Sequence, residues 1–306
     1  MPVLSRPSPF GRVLTAMITP FTDSGELDLD GAASLAKQLV ADGNDGLVVA
    51  GSTGESAMLR DDERIALWRV VASAVTVPVI AGSTTGDTHH SVELTKEASK
   101  AGASGILATT PYYSRPSQSG ITQHFRAVAE ATDLPVLLYD IPSRTGRRLS
   151  HSTVLGLASE LANVVGLKDA SGDPASTARL IAASRPGFAL YSGDDSLTLP
   201  LLALGGSGVI SVAAHWCAAE FAEMIAAYLD GDVDRALEIN TALLPSYSFQ
   251  SSDDAPNPVP TKAVMRTMNL PAGQCRLPLG DAPSTLDDEA ASLLATLQQW
   301  RASRTA

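Results

Sequence analysis

Eight short apolar runs, each followed by an amphipathic stretch, constrain this chain more than any other feature. The runs are 13–18, 46–49, 78–81, 105–109, 135–139, 164–168, 189–192 and 208–211. They are rich in Val, Ile and Leu and alternate little between apolar and polar residues. That is the pattern of parallel strands buried on both faces. The stretches between them carry helical periodicity at 29–41, 61–74, 91–101, 121–131, 152–161, 175–183, 197–204 and 218–229. Asp28 and Ser150 stand where N-caps belong, and Gly43 and Gly102 follow the ends of two stretches. Eight such units point to an α/β TIM (β/α)8 barrel rather than an open doubly wound sheet. Further helical sequence at 233–244, 261–268 and 286–301 forms a C-terminal helical extension. Residues 246–260, rich in Ser and Pro, read as a loop. The division expected is 1–230 for the barrel and 231–306 for the helical region.

In such a barrel the working residues sit where each strand meets its following loop. The second strand is followed by Gly51-Ser52-Thr53-Gly54-Glu55-Ser56. This is either a Gly/Ser turn capping the next helix or a loop presenting N–H groups and hydroxyls to a carboxylate. It is no Walker loop, because no Lys follows the second glycine. The fourth strand runs into Thr110-Pro111-Tyr112-Tyr113-Ser114-Arg115-Pro116, where one tyrosine is expected to pack and the other to reach out. The fifth ends at Tyr139-Asp140-Ile141-Pro142-Ser143-Arg144-Thr145-Gly146. Tyr139 is a rim aromatic or a proton donor, and Arg144 is a surface cation or a planar clamp for a carboxylate. The sixth strand closes on Lys168, the one lysine of five that ends an apolar run; Lys262 follows a Pro-rich turn. A lysine there is a paired structural cation or an amine held neutral for chemistry. After the seventh strand, Gly193 would let a ligand approach the backbone and counts as a substrate-binding candidate, whereas Asp194 and Asp195 read as helix caps. Met58, Trp68 and Trp216 read as core packing.

Bulk properties remove several classes. A formal net charge of −11 argues against binding nucleic acid or an anionic membrane. Cys217 and Cys275 form no CxxC pair, and the five histidines make no ligand motif, so no metal and no cofactor are expected. A reduced, cytoplasmic setting fits two distant cysteines. The stretch Met1 to Phe10 holds three prolines and no signal-peptide core. No apolar run reaches the ~18 residues of a membrane span.

Together, a lysine, a tyrosine able to move protons, small hydroxyls and an arginine at one barrel mouth suit carbonyl chemistry through a Schiff base. For the amine to be neutral near pH 7, its pKa must fall to about 7 from ~10.4, a differential stabilisation of roughly 4 kcal/mol. Burial at a strand end supplies an effect of that order.

In order, Gly51-Ser-Thr-Gly-Glu, Thr110-Pro-Tyr-Tyr-Ser-Arg-Pro, Tyr139-Asp-Ile-Pro-Ser-Arg-Thr-Gly, Gly166-Leu-Lys-Asp-Ala, Ser192-Gly-Asp-Asp and Gly208-Val-Ile-Ser-Val resemble the dihydrodipicolinate synthase/N-acetylneuraminate lyase family of class I aldolases. The resemblance runs from about Gly11 to Leu279 and implies the same barrel with a C-terminal helical part. It implies that Lys168 forms the Schiff base, that Tyr139 shuttles protons, and that Ser52 belongs to the proton relay. Thr53 matches a residue holding the carboxylate of pyruvate, and Ile210 a backbone carbonyl facing the lysine. Tyr113 is similar to a relay tyrosine inserted into a neighbouring subunit's site, and Arg144 to the arginine receiving the aldehyde's carboxylate. Ser52 stands where threonine is usual in the synthases, and keeps the hydroxyl. The implied reaction condenses pyruvate with L-aspartate 4-semialdehyde in the diaminopimelate route to lysine, in a homotetramer. Cleavage of a 2-keto-3-deoxy sugar acid or of N-acetylneuraminate is the alternative within the family, and a non-catalytic keto-acid-binding barrel the alternative outside it. Arg64, Gly86 and His90 match positions where lysine-inhibited members carry His, Asn and Glu, so weak or no inhibition by lysine is expected.

Overall fold

The structure, a computed structural model, describes residues 7–304. The first six and last two residues, which belong to the N-terminal stretch and the C-terminal region read above, lie outside the described residues. Eight parallel strands close in sequence order into one barrel. They are β1 (Val13–Ala16), β2 (Gly46–Val49), β3 (Val79–Gly82), β4 (Gly105–Thr109), β5 (Val136–Asp140), β6 (Val164–Asp169), β7 (Ala189–Ser192) and β8 (Gly208–Ser211), with β8 pairing back onto β1.

The helices α1 (Leu29–Ala41), α2 (Asp61–Ala74), α3 (Thr88–Lys100), α4 (Gln118–Glu130), α5 (Pro142–Thr145), α6 (His151–Glu160), α7 (Pro174–Ala183) and α8 (Thr198–Ala203) alternate with the strands, and α9 (Ala214–Asp230) follows β8. The C-terminal extension is α10 (Val233–Phe249), α11 (Val259–Thr267) and α12 (Leu286–Ser303). The caps expected at Asp28 and Ser150 are present, their side chains accepting from the N–H groups of Gly31 and Thr153. Two boundaries differ from the sequence reading. Residues 246–249 are helical, because α10 runs on through Pro245, and α11 begins at Val259 inside the expected loop. The one-turn helix α5 was not expected; Pro142 starts it and Gly146, at φ 69°, ends it.

Strand residues sort by face. Leu14, Ala16, Val48, Ile80, Leu107, Leu137, Tyr139, Ala189, Tyr191 and Ile210 fill the barrel interior with Phe10, while Val13, Val49, Ala81, Ala108, Leu138 and Val209 turn outward against the helices. The end opposite the strands' C-termini is closed. Phe10 sits so near Gly105 that a Cβ there would meet its ring at 2.6 Å, and the Tyr191 hydroxyl donates to the Gly11 carbonyl at 2.9 Å. A plugged bottom leaves the C-terminal mouth as the open end. Among the described residues, no helix is long and apolar enough to cross a membrane.

Candidate active site at the barrel mouth

Strand register brings Thr109, Tyr139, Lys168 and Tyr191 to one level of the barrel. Parallel partners in register point to the same face, so Lys168 projects inward between two tyrosines. Its Nζ lies 4.4 Å from the centroid of the Tyr139 ring. Only 5% of Lys168 is exposed. Burial pulls its pKa down to about 8, against a raising effect from the carboxyl of Asp195, and the positive charge of Arg144 lowers it further. None of the ion pairs among the described residues includes Lys168.

Burial raises the Tyr139 hydroxyl to about 12, while Arg144 and a hydrogen bond with Ser52 pull the other way. Tyr139 is therefore a neutral donor at physiological pH, linked to a second hydroxyl. Ser52 stands in the turn after β2, whose shape comes from Glu55 N–H donating to the Ser52 carbonyl at 3.1 Å and Ser56 N–H donating to Gly51 at 3.2 Å. Thr53 in the same turn is buried.

Above this level opens a cleft of about 370 Å³, lined in part by Ser52, Thr84, Thr109, Tyr113 and Arg144. One Arg144 nitrogen donates to the Asn257 carbonyl at 3.2 Å, which orients a guanidinium that lines the cleft. A shallower hollow of about 250 Å³ includes Ala170, Gly193 and Asp195, and Ile141 borders both. Gly193 packs on the lysine itself, since a Cβ there would come 3.0 Å from Lys168 Cε. Ile210 lies on the interior wall of β8, in register with Leu14. Ser52 and Arg144 thus line the cleft, Lys168 and Tyr139 share the level beneath it, Gly193 packs on the lysine, Ile210 stands on the β8 wall and Thr53 is buried in the β2 turn. Tyr113 stands apart on the cleft's outer rim, 96% exposed and at φ 70°.

Several residues depart from their sequence reading. Tyr112 does not pack in the core; it is 36% exposed and lines the cleft beside Tyr113. Met58 also lines the cleft, whereas Trp68 and Trp216 are buried as expected. Asp194 caps the short turn after β7, accepting from Ser196 N–H at 2.9 Å. Asp195 instead accepts from the N–H groups of Ala213 and Val212 at the start of α9, and from Gln250. Thr84 and Thr109 line the cleft, joined by a 2.8 Å hydrogen bond from Thr109 N–H to Thr84 Oγ1. They escaped notice because a Thr at a strand end is also an ordinary β residue. Among the described residues, no three His, Cys, Asp or Glu side chains group as metal ligands.

The closed barrel, the buried lysine and the cleft at the strands' C-terminal ends define a (β/α)8-barrel enzyme. The chain belongs to the dihydrodipicolinate synthetase family, whose sequence model matches residues 9–299. A 4-hydroxy-tetrahydrodipicolinate synthase of Acidothermus cellulolyticus is 51% identical over 90% of this chain and 89% of its own length. A dihydrodipicolinate synthase from Cyanidioschyzon merolae, solved with lysine bound, superposes with a TM-score of 0.91 at 43% identity, over 94% of this chain and 98% of that one. The chloride-inhibited synthase from Acinetobacter baumannii, solved in complex with pyruvate, gives 0.89 at 32% identity, over 94% and 99%.

Proposed function

We propose that the protein is a 4-hydroxy-tetrahydrodipicolinate synthase, condensing pyruvate with L-aspartate 4-semialdehyde in the diaminopimelate route to lysine. The observation that carries this reading is the inward Lys168 amine, 4.4 Å from the Tyr139 ring and with its pKa drawn down to about 8 by burial. Relatives named for the activity and a neighbour solved with pyruvate support it.

The amine attacks the keto carbon of pyruvate, and the carbonyl oxygen leaves as water after taking protons through Tyr139. The resulting iminium withdraws electrons, so the methyl carbon loses a proton and becomes nucleophilic. It adds to the aldehyde carbon, whose oxygen is protonated. The amino group of the second substrate then attacks the imine carbon, closing the ring and releasing Lys168. Tyr139 and Ser52 carry the protons, with Tyr113 of a neighbouring subunit completing the relay. Thr53 and the surrounding turn hold the pyruvate carboxylate, and Gly193 and Ile210 line the space beside the lysine. Arg144 receives the carboxylate of the semialdehyde, as a planar fork suits. Of the expected division at 230/231, the described residues 7–230 carry this chemistry and 231–304 form the helical region. A cytoplasmic homotetramer agrees with a relay that needs a second subunit.

Borohydride added with pyruvate should leave a covalent adduct on Lys168, visible by mass spectrometry. Arg144→Ala should keep that adduct and lose consumption of aspartate semialdehyde. Absence of the adduct would sink the enzyme reading, and turnover of a sugar acid alone would move the protein to another branch of the family.

A further inference from the structure

Lys262, on α11, is the most deeply buried lysine of the chain. It is 1% exposed, and its Nζ lies 2.7 Å from Oε1 of Glu55, whose side chain is fully buried. The same ammonium donates to the Gln274 carbonyl at 3.0 Å and stands 4.2 Å over the Phe21 ring. The other oxygen of Glu55 accepts from the Arg276 N–H at 2.9 Å. The Arg276 side chain covers the opposite flank. It lies 4.3 Å from the Phe21 ring centroid, holds Glu63 through two nitrogens at 2.7 and 2.8 Å, and donates to the Met58 carbonyl at 3.2 Å. Both carboxylates and the Met58 carbonyl belong to the segment running from the β2 turn into α2. Both cations belong to the C-terminal extension.

Glu55 also shapes the site. Its backbone is left-handed at φ 56°, a conformation that a side chain resists and that persists where surroundings over-determine it. Its N–H closes the turn on the Ser52 carbonyl. The buried charge pair is thus joined to Ser52 by a single backbone hydrogen bond. Such a pair is weak evidence for stability, since apolar residues of like volume often do as well. Its fixed geometry has a different use here.

We propose that Glu55 and Lys262 act as a positioning pair, through which the C-terminal extension sets the Ser52–Thr53 turn and with it the affinity for the keto acid's carboxylate. The inference rests on the pyruvate reading above. Neither residue touches the reacting atoms; both act through the turn.

The test compares the unaltered protein with Glu55→Gln, Lys262→Met and the double variant. Arg301→Ala serves as a control, because it breaks the contact of α12 with Glu220 of α9, far from the turn. Misplacing the turn by an ångström should raise the pyruvate KM by roughly 10- to 100-fold through Thr53 and lower kcat as well through Ser52. The double variant should be no worse than the worse single one, since both act through one contact. The control should lower Tm and leave KM unchanged, which separates positioning from loss of stability. If the single variants fail to fold, the double variant, which leaves no unpaired buried charge, carries the same readout. Wild-type KM in folded Glu55 or Lys262 variants overturns the proposal. Hydrogen exchange checks it without substrate: the Glu55 and Ser56 amides should exchange faster in Lys262→Met, and unchanged exchange also overturns it. Failure of the unaltered protein to trap pyruvate would instead count against the functional reading and leave the exchange result to judge the pair.

Discussion

A residue's surroundings decide its chemistry more than its type does. The chain holds two deeply buried lysines with opposite fates. Lys262 meets a carboxylate at 2.7 Å. Lys168 meets a tyrosine face, and its pKa falls to about 8 because burial penalises the charged form. Near pH 7 about a tenth of the molecules then carry a neutral amine. The initial rate of pyruvate trapping should rise roughly tenfold between pH 6 and pH 7 and level off above about pH 9. A rate flat across pH 6 to 8, or a midpoint near that of a free lysine, would contradict the burial argument. The sign is that of a lysine depressed on folding: protons leave at lower pH than in the unfolded chain, so activity is gained, not lost, as pH rises. Lys168 was legible in sequence because it ends an apolar run at a strand's C-terminus. Lys262 was not, because a lysine in a helical stretch carries no sign of burial.

Between elements, the expectation of weak or no inhibition by lysine turns on Arg64 of α2, His90 of α3 and the loop that joins these helices through β3. Arg64 of α2 is buried, donates through one nitrogen to the Ser56 carbonyl, and leaves its other nitrogens without a partner among the described residues. His90 of α3 is engaged by Asp61 at 2.9 Å. Gly86, which ends the loop before α3, offers no side chain at all. Where the resemblance implies a lysine-binding His, Asn and Glu, this chain thus carries a buried guanidinium, a glycine and an imidazole engaged by Asp61. Millimolar lysine should therefore slow the initial rate weakly or not at all, although a relative at 43% identity was solved with lysine bound. Strong inhibition in a steady-state assay would overturn this. The strands and long helices were plain from the sequence, but the one-turn α5 and several ends were not. The helical reading stopped at 244, yet α10 continues through Pro245 to Phe249 because packing of the helix outweighs one lost hydrogen bond.

At the scale of the whole molecule, the exposed Tyr113 bears on assembly. Tyr113 is 96% exposed and held at φ 70° on the rim of the cleft. On the proposed reading it enters a second subunit's site. Specific activity should fall on dilution in step with dissociation followed by ultracentrifugation, and Tyr113→Phe should lower kcat by about 10²-fold without changing the assembly. Activity independent of dilution across that dissociation would show that one chain suffices.

By itself the sequence determined the eight-unit alternation, hence the barrel, and the residues on its strand ends, hence Lys168 beside Tyr139. These follow from local rules, the burial period of strands and the placement of sites at strand C-termini. Only the tertiary structure decided what those residues lean on: Asn257 behind Arg144, Gln250 on Asp195, Lys262 and Arg276 on Glu55. Such partners stand far apart in the chain and have no period to betray them, so they become visible only when the C-terminal helices close against the barrel mouth.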